Sequence, residues 1–134
     1  MFVSSETAKV AGMLNVIGVL LLLSTVHRMD FIVTAQPGKY FIDRREKPVI
    51  TLQKNEKRCF DQSNPSNQNH PLRFSATSNG TWGDGVEYTT GVRVSGTPGT
   101  PNAQVCWTVP PDVPNTMYYY CKNHAGMGNT IKIE

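Results

Sequence analysis

Histidine and cysteine are scarce in this sequence of 134 residues, with 3 of each. That count excludes any polynuclear metal centre built from many imidazoles. Charge is thin as well: 17% of residues are charged, 13 basic against 10 acidic for a formal net charge of +3, where an ordinary globular chain has about 25%. A strongly charged disordered segment or a salt-bridge-laced long helix is thereby excluded. No internal repeat is visible, and beyond residue 30 no window carries an amphipathic 3.6-residue period, which argues against a helical body. The one basic run, residues 44–58, holds Arg44, Arg45, Lys47, Lys54, Lys57 and Arg58 against Glu46 and Glu56. It lacks the interleaved aromatics of a nucleic-acid surface and reads as a solvated strand edge, so no nucleic-acid partner is expected.

What is present suits a single turn-rich domain. Hydrophobic residues make up 39%, and 11 glycines and 9 prolines are spread through the chain. Residues 10–26 are seventeen positions without a charge, slightly short of the roughly 20 that span a bilayer. They read as one N-terminal hydrophobic helix, and residues 1–30 as a signal or membrane anchor. Glu6 and Lys9 make a poor basic lead. The best cleavage pattern, Val33-x-Ala35, would remove Phe31-Ile32-Val33, the first strand of the domain beyond it, so an uncleaved anchor is favoured over a cleaved signal and a buried core helix comes third. His27, at the end of this segment, reads as an interfacial polar residue.

From Phe31 on, short apolar segments alternate with turns. Strands are predicted at 31–33, 40–42, 49–52, 58–60, 70–74, 105–109, 117–121 and 130–133, with loops at 61–69, 80–85 and 96–101. About eight short strands at this spacing predict an all-β fold, a two-sheet Greek-key β-sandwich over residues 31–134. In 117–121 the period of two sends Met117, Tyr119 and Cys121 to one face, and Tyr118 and Tyr120 outward or toward a loop.

The chemistry concentrates in that last region. Cys121, His124 and Met127 form C-x-x-H-x-x-M, which offers a thiolate, an aromatic nitrogen and a soft thioether within seven residues, a set that suits copper cycling between Cu(I) and Cu(II). Gly126 and Gly128 let the loop turn tightly. A trigonal His₂Cys site needs one more imidazole, from His27 or His70. His70 is favoured, because it follows a polar loop and opens a strand at one end of the sandwich, where loops gather on a rigid scaffold.

Cys121, His124 and Met127, with a histidine about fifty residues upstream, resemble the cupredoxins, the plastocyanin, amicyanin and azurin group. The likeness covers about residues 31–134. The ligand spacing is similar to the short amicyanin loop, and the run around His70, the triple tyrosine and residues 123–127 is similar to small cupredoxin-like domains of marine microbes and their viruses. The resemblance implies one copper ion held by His70, Cys121, His124 and Met127. It implies a one-electron carrier rather than an enzyme, located outside the cytoplasm, membrane-anchored or secreted. It also implies an exposed Tyr120 on a route for electrons, as before the ligand cysteine of plastocyanins. Lys122 and the positive charge suggest a redox partner protein with an acidic docking face.

Within that family, three histidines are too few for a multicopper oxidase, and the single cysteine of the ligand loop excludes a binuclear copper centre. One departure is Pro71. In much of the family the residue after the upstream histidine donates a backbone N–H to the cysteine sulfur, and proline has none. The alternative reading is therefore a cupredoxin-fold structural or surface-display module in which copper is stored, structural or absent; a structural zinc site is weaker still, since methionine is a poor zinc ligand. Cys59 and Cys106 remain open between a disulfide, the count being even once Cys121 is assigned to metal, and a pair of buried thiols. Asn79-Gly80-Thr81 is an N-glycosylation sequon.

Overall fold

The computed structural model describes residues 30–134; the hydrophobic helix expected at 10–26, the signal or anchor reading of residues 1–30 and His27 lie outside them. The described residues are all-β. Ten strands follow one another: β1 (Phe31–Gln36), β2 (Lys39–Ile42), β3 (Arg45–Glu46), β4 (Ile50–Leu52), β5 (Lys57–Asp61), β6 (Leu72–Ser75), β7 (Val92–Ser95), β8 (Gln104–Thr108), β9 (Thr116–Cys121) and β10 (Asn129–Ile133). Short 3₁₀ turns occupy Pro65–Asn67 and Gly80–Gly83.

Two strands exceed the eight expected. The β3 strand has two exposed residues and forms the sheet edge on which Lys39 pairs with Glu46 at 2.9 Å. The β7 strand carries only half-buried and exposed side chains; β3 has no apolar residue to mark it in sequence, and the alternation of β7, Val92-Arg93-Val94-Ser95, spans only four residues. The strand expected to open at His70 begins instead at Leu72, because Pro71 has no N–H to give a ladder.

The strands form a four-stranded sheet in the order β4-β10-β9-β6 and a six-stranded sheet in the order β3-β2-β1-β5-β8-β7. Two contacts are parallel, β4 with β10 and β1 with β5; the rest are antiparallel.

The inner faces share one core, whose members alternate along each strand as the pleat requires: Val33 and Ala35, Tyr40 and Ile42, Leu72 and Phe74, Val105 and Trp107, Met117, Tyr119 and Cys121. Aromatic rings bridge the sheets: Phe74 lies 5.3 Å from Phe60 and 4.8 Å from Trp107, and Tyr40 lies 6.4 Å from Tyr119. Burying each such side chain stabilises the fold by roughly 1.5–3 kcal/mol.

Cys59 and Cys106 face each other on β5 and β8 and are joined by a disulfide, which closes the alternative of two free thiols.

Tyr120 requires a correction. It leaves the core face as the period of two demands, yet it is wholly buried. The Gly80–Gly83 turn lies on it, and a Cβ at Gly80 would strike its ring. An exposed Tyr120 at the surface is therefore ruled out; the half-exposed aromatic over this part of the sheet is Trp82.

Candidate metal centre

The register between β9 and β6 pairs Cys121 with Leu72, so the end of one strand meets the start of the other. His70 stands two residues before Leu72. A backbone bond from Lys122 N to Pro71 O (2.9 Å) continues the pairing, and Asn123 Nδ2 donates to Asn69 O (3.1 Å). These bonds tie the loop at 122–128 to the turn at 69–71.

Three of the four expected ligands meet here. His70 Nδ1 lies 3.8 Å from Cys121 Sγ, and His124 Nδ1 lies 3.6 Å from it. All three atoms are within 4.8 Å of one another, and the imidazole centroids are 4.7 Å apart. With metal–nitrogen and metal–sulfur bonds of about 2.0 and 2.3 Å, a trigonal ion separates its nitrogen and sulfur ligands by ~3.7 Å and its two nitrogens by ~3.5 Å, so the two sulfur–nitrogen spacings fit a single transition-metal ion, and the imidazoles, within 4.8 Å of each other, would draw together around it. Cys121 is buried, His70 half-buried and His124 exposed.

Met127 occupies the same loop and is buried in the core cluster. Its carbonyl accepts the Tyr40 N–H at 2.9 Å.

The loop's shape rests on its two glycines for different reasons. Gly126 has φ of +79°, the left-handed region, and its N–H donates to Asn79 Oδ1 at 2.9 Å. Gly128 passes so near the Tyr119 carbonyl that a Cβ there would collide with it. The sequon asparagine thus has a local task, holding the ligand loop from the side.

Electrostatics favour the neutral forms of His70 and Tyr40. Burial first, and then the neighbouring His124, lower the His70 pKa below its ordinary value, which favours the free-base form that binds metal. Burial and then the Cys121 thiol push Tyr40 well above the usual phenol range, so its hydroxyl keeps its proton. Lys122 lies 3.9 Å from Glu87, which also pairs with Arg73 at 3.2 Å.

Sequence reasoning missed four residues at the site. Gln62 and Asn67 fall in a stretch that reads as a solvated loop, yet both are buried. Tyr40 reads as one more strand aromatic, and Trp82 as a loop residue. Gln62, Asn67 and Trp82 carry no periodic signal, and the alternation that puts Tyr40 in the core does not tell where its hydroxyl goes, since each acts through a contact distant in sequence.

Compared with protein-family models, with curated proteins and with solved structures, the chain matches none.

Proposed function

We propose that residues 31–134 are a cupredoxin-like Greek-key domain whose function is one-electron transfer at a single type 1 copper site. The observation that carries this reading is the spacing of His70 Nδ1, Cys121 Sγ and His124 Nδ1, with 3.8 and 3.6 Å to the sulfur. In it His70, Cys121 and His124 would hold the ion, with Met127 of the same loop as the fourth donor, and the set of two imidazoles, a thiol sulfur and a thioether is that of blue-copper sites. Bound copper supplies one-electron redox chemistry with little rearrangement, because the protein presents its donors already gathered. The chain acts as a carrier, not an enzyme.

The Cys59–Cys106 disulfide supports a location outside the cytoplasm, in an oxidising compartment, and residues 1–30 would tether or export the domain. The partner is a redox protein, with an acidic docking face to match the net charge of +3.

A second reading, a module in which copper is stored or structural, draws on Pro71, which withholds the usual N–H from the sulfur.

The test is the visible and electron paramagnetic resonance spectrum of the full chain after Cu(II) addition, beside Cys121→Ser. An intense thiolate-to-copper band, absent from the variant, supports the reading; a colourless folded protein, or a band that survives in the variant, overturns it. Met127→Leu separates the two readings: an electron carrier retains copper with a shifted potential, whereas a structural site behaves as before.

A further inference from the structure

His70 has no strand ladder to hold it, because the next residue is Pro71, yet its own backbone N–H and carbonyl are both engaged. Its N–H donates to Asn67 O at 2.8 Å. Its carbonyl accepts two bonds, from Tyr40 Oη at 2.7 Å and from Gln62 Nε2 at 2.8 Å. Gln62 Oε1 accepts the Leu72 N–H at 2.9 Å, so the glutamine grips the chain on both sides of the proline.

Gln62 is itself fixed. Its amide also donates to Asn67 Oδ1 at 3.1 Å, and Asn67 Nδ2 reaches Val33 O at 2.8 Å. Gln62 is 1% exposed, and Asn67 and Tyr40 are fully buried. Buried polar side chains are costly unless their bonds are made, and a fully satisfied network holds one geometry. Tyr40 joins the two halves of the ligand set: its hydroxyl holds the carbonyl of His70, and its backbone N–H holds that of Met127 at 2.9 Å.

We propose that Tyr40 and Gln62 are positioning residues that hold His70 in its metal-binding place before an ion arrives, doing through side chains what a strand hydrogen bond at residue 71 would do. The inference rests on the reading of His70 as a ligand. Cu(II) prefers a flattened, tetragonal arrangement. A held His70 denies it that relaxation, and a released one permits it.

The test is Tyr40→Phe in the full chain, which keeps the ring and removes the hydroxyl that bonds His70 O and lies beside Cys121 and Gln62. Its affinity for Cu(II) relative to Cu(I) is expected to rise about three- to tenfold, the worth of one neutral hydrogen bond; a tenfold rise lowers a one-electron potential by about 59 mV. In the metal-free wild type the His70 ring resonances are expected to be single and sharp, and in Tyr40→Phe to broaden or double. Gln62→Met, of similar volume, is expected to act in the same direction. Tyr119→Phe is the control, since it loses a buried bond to Pro48 O (2.8 Å) away from His70 and should lower stability while leaving the ratio alone.

A Tyr40→Phe protein with the wild-type affinity ratio and a single sharp His70 signal overturns the proposal, whatever its stability. If the wild type binds no copper, the function proposed above fails by itself, and the metal-free resonances alone decide the role of Tyr40.

Discussion

The indole N–H of Trp82 donates to the carbonyl of Cys121 at 2.9 Å. A half-exposed ring in a glycine-rich loop is thereby joined to the backbone of the residue whose sulfur lies between His70 and His124. The same loop covers Tyr120, so the surface over β9 is made by a turn far from it in sequence. Trp82→Phe is expected to cost about 1 kcal/mol, one hydrogen bond, and to remove the solvent-exposed part of the tryptophan emission, leaving that of buried Trp107. Copper binding should quench the Trp82 emission more than that of Trp107. Equal quenching of the two would contradict the placement of Trp82 beside the site.

The disulfide joins residues 47 apart in sequence. By the loop-closure relation, opening it should destabilise the protein by about 4 kcal/mol. Chemical denaturation of the Cys59→Ser, Cys106→Ser double variant, with copper absent so that Cys121 plays no part, measures this directly.

The two loop glycines should separate under the same substitution. Gly126→Ala meets no neighbouring atom but forces a side chain into left-handed backbone, a cost of about 1–2 kcal/mol. Gly128→Ala drives a methyl group into the Tyr119 carbonyl, so the loop must move, and the larger loss of melting temperature and of copper affinity is expected there. The reverse order would refute the loop geometry.

Acid should weaken the metal-free fold through His70. Burial and His124 lower its folded pKa, while the unfolded chain titrates near the ordinary value of about 6.5. Between those two values the unfolded state binds more protons, so stability rises with pH. The His70 contribution is complete above about pH 6.5 and is lost as pH falls below it. Urea midpoints at pH 7.5 and 5.5 should differ less in His70→Asn than in the wild type.

The strands that alternate cleanly were legible because a pleat with one buried face writes itself as a period of two; Met117, Tyr119 and Cys121 turn inward as that period requires. The short edge strands β3 and β7 were not: β3 has no apolar residue to alternate, and the alternation of β7 spans only four residues, Val92 to Ser95, too few to stand out among turns. Tyr120 shows the limit of the same rule. Period two placed its ring on the outer face, but only the turn at Gly80–Gly83 decided that the face is covered. Gln62 and Asn67 were hidden for a related reason: a polar side chain satisfied in the interior looks, in one dimension, like one that is hydrated.

By itself the sequence determined an all-β body, the spacing of Cys121, His124 and Met127 in one short loop, and the presence of two further cysteines, because these depend on local periodicity and on residue count. Only the tertiary structure decided that Cys59 faces Cys106, that His70 stands 3.8 Å from the Cys121 sulfur, and that Tyr40 and Gln62 grip the histidine that Pro71 leaves without a ladder. Those relations are set by which strands pair and in which register, and pairing between distant segments depends on the packing of the whole core, which no local stretch encodes.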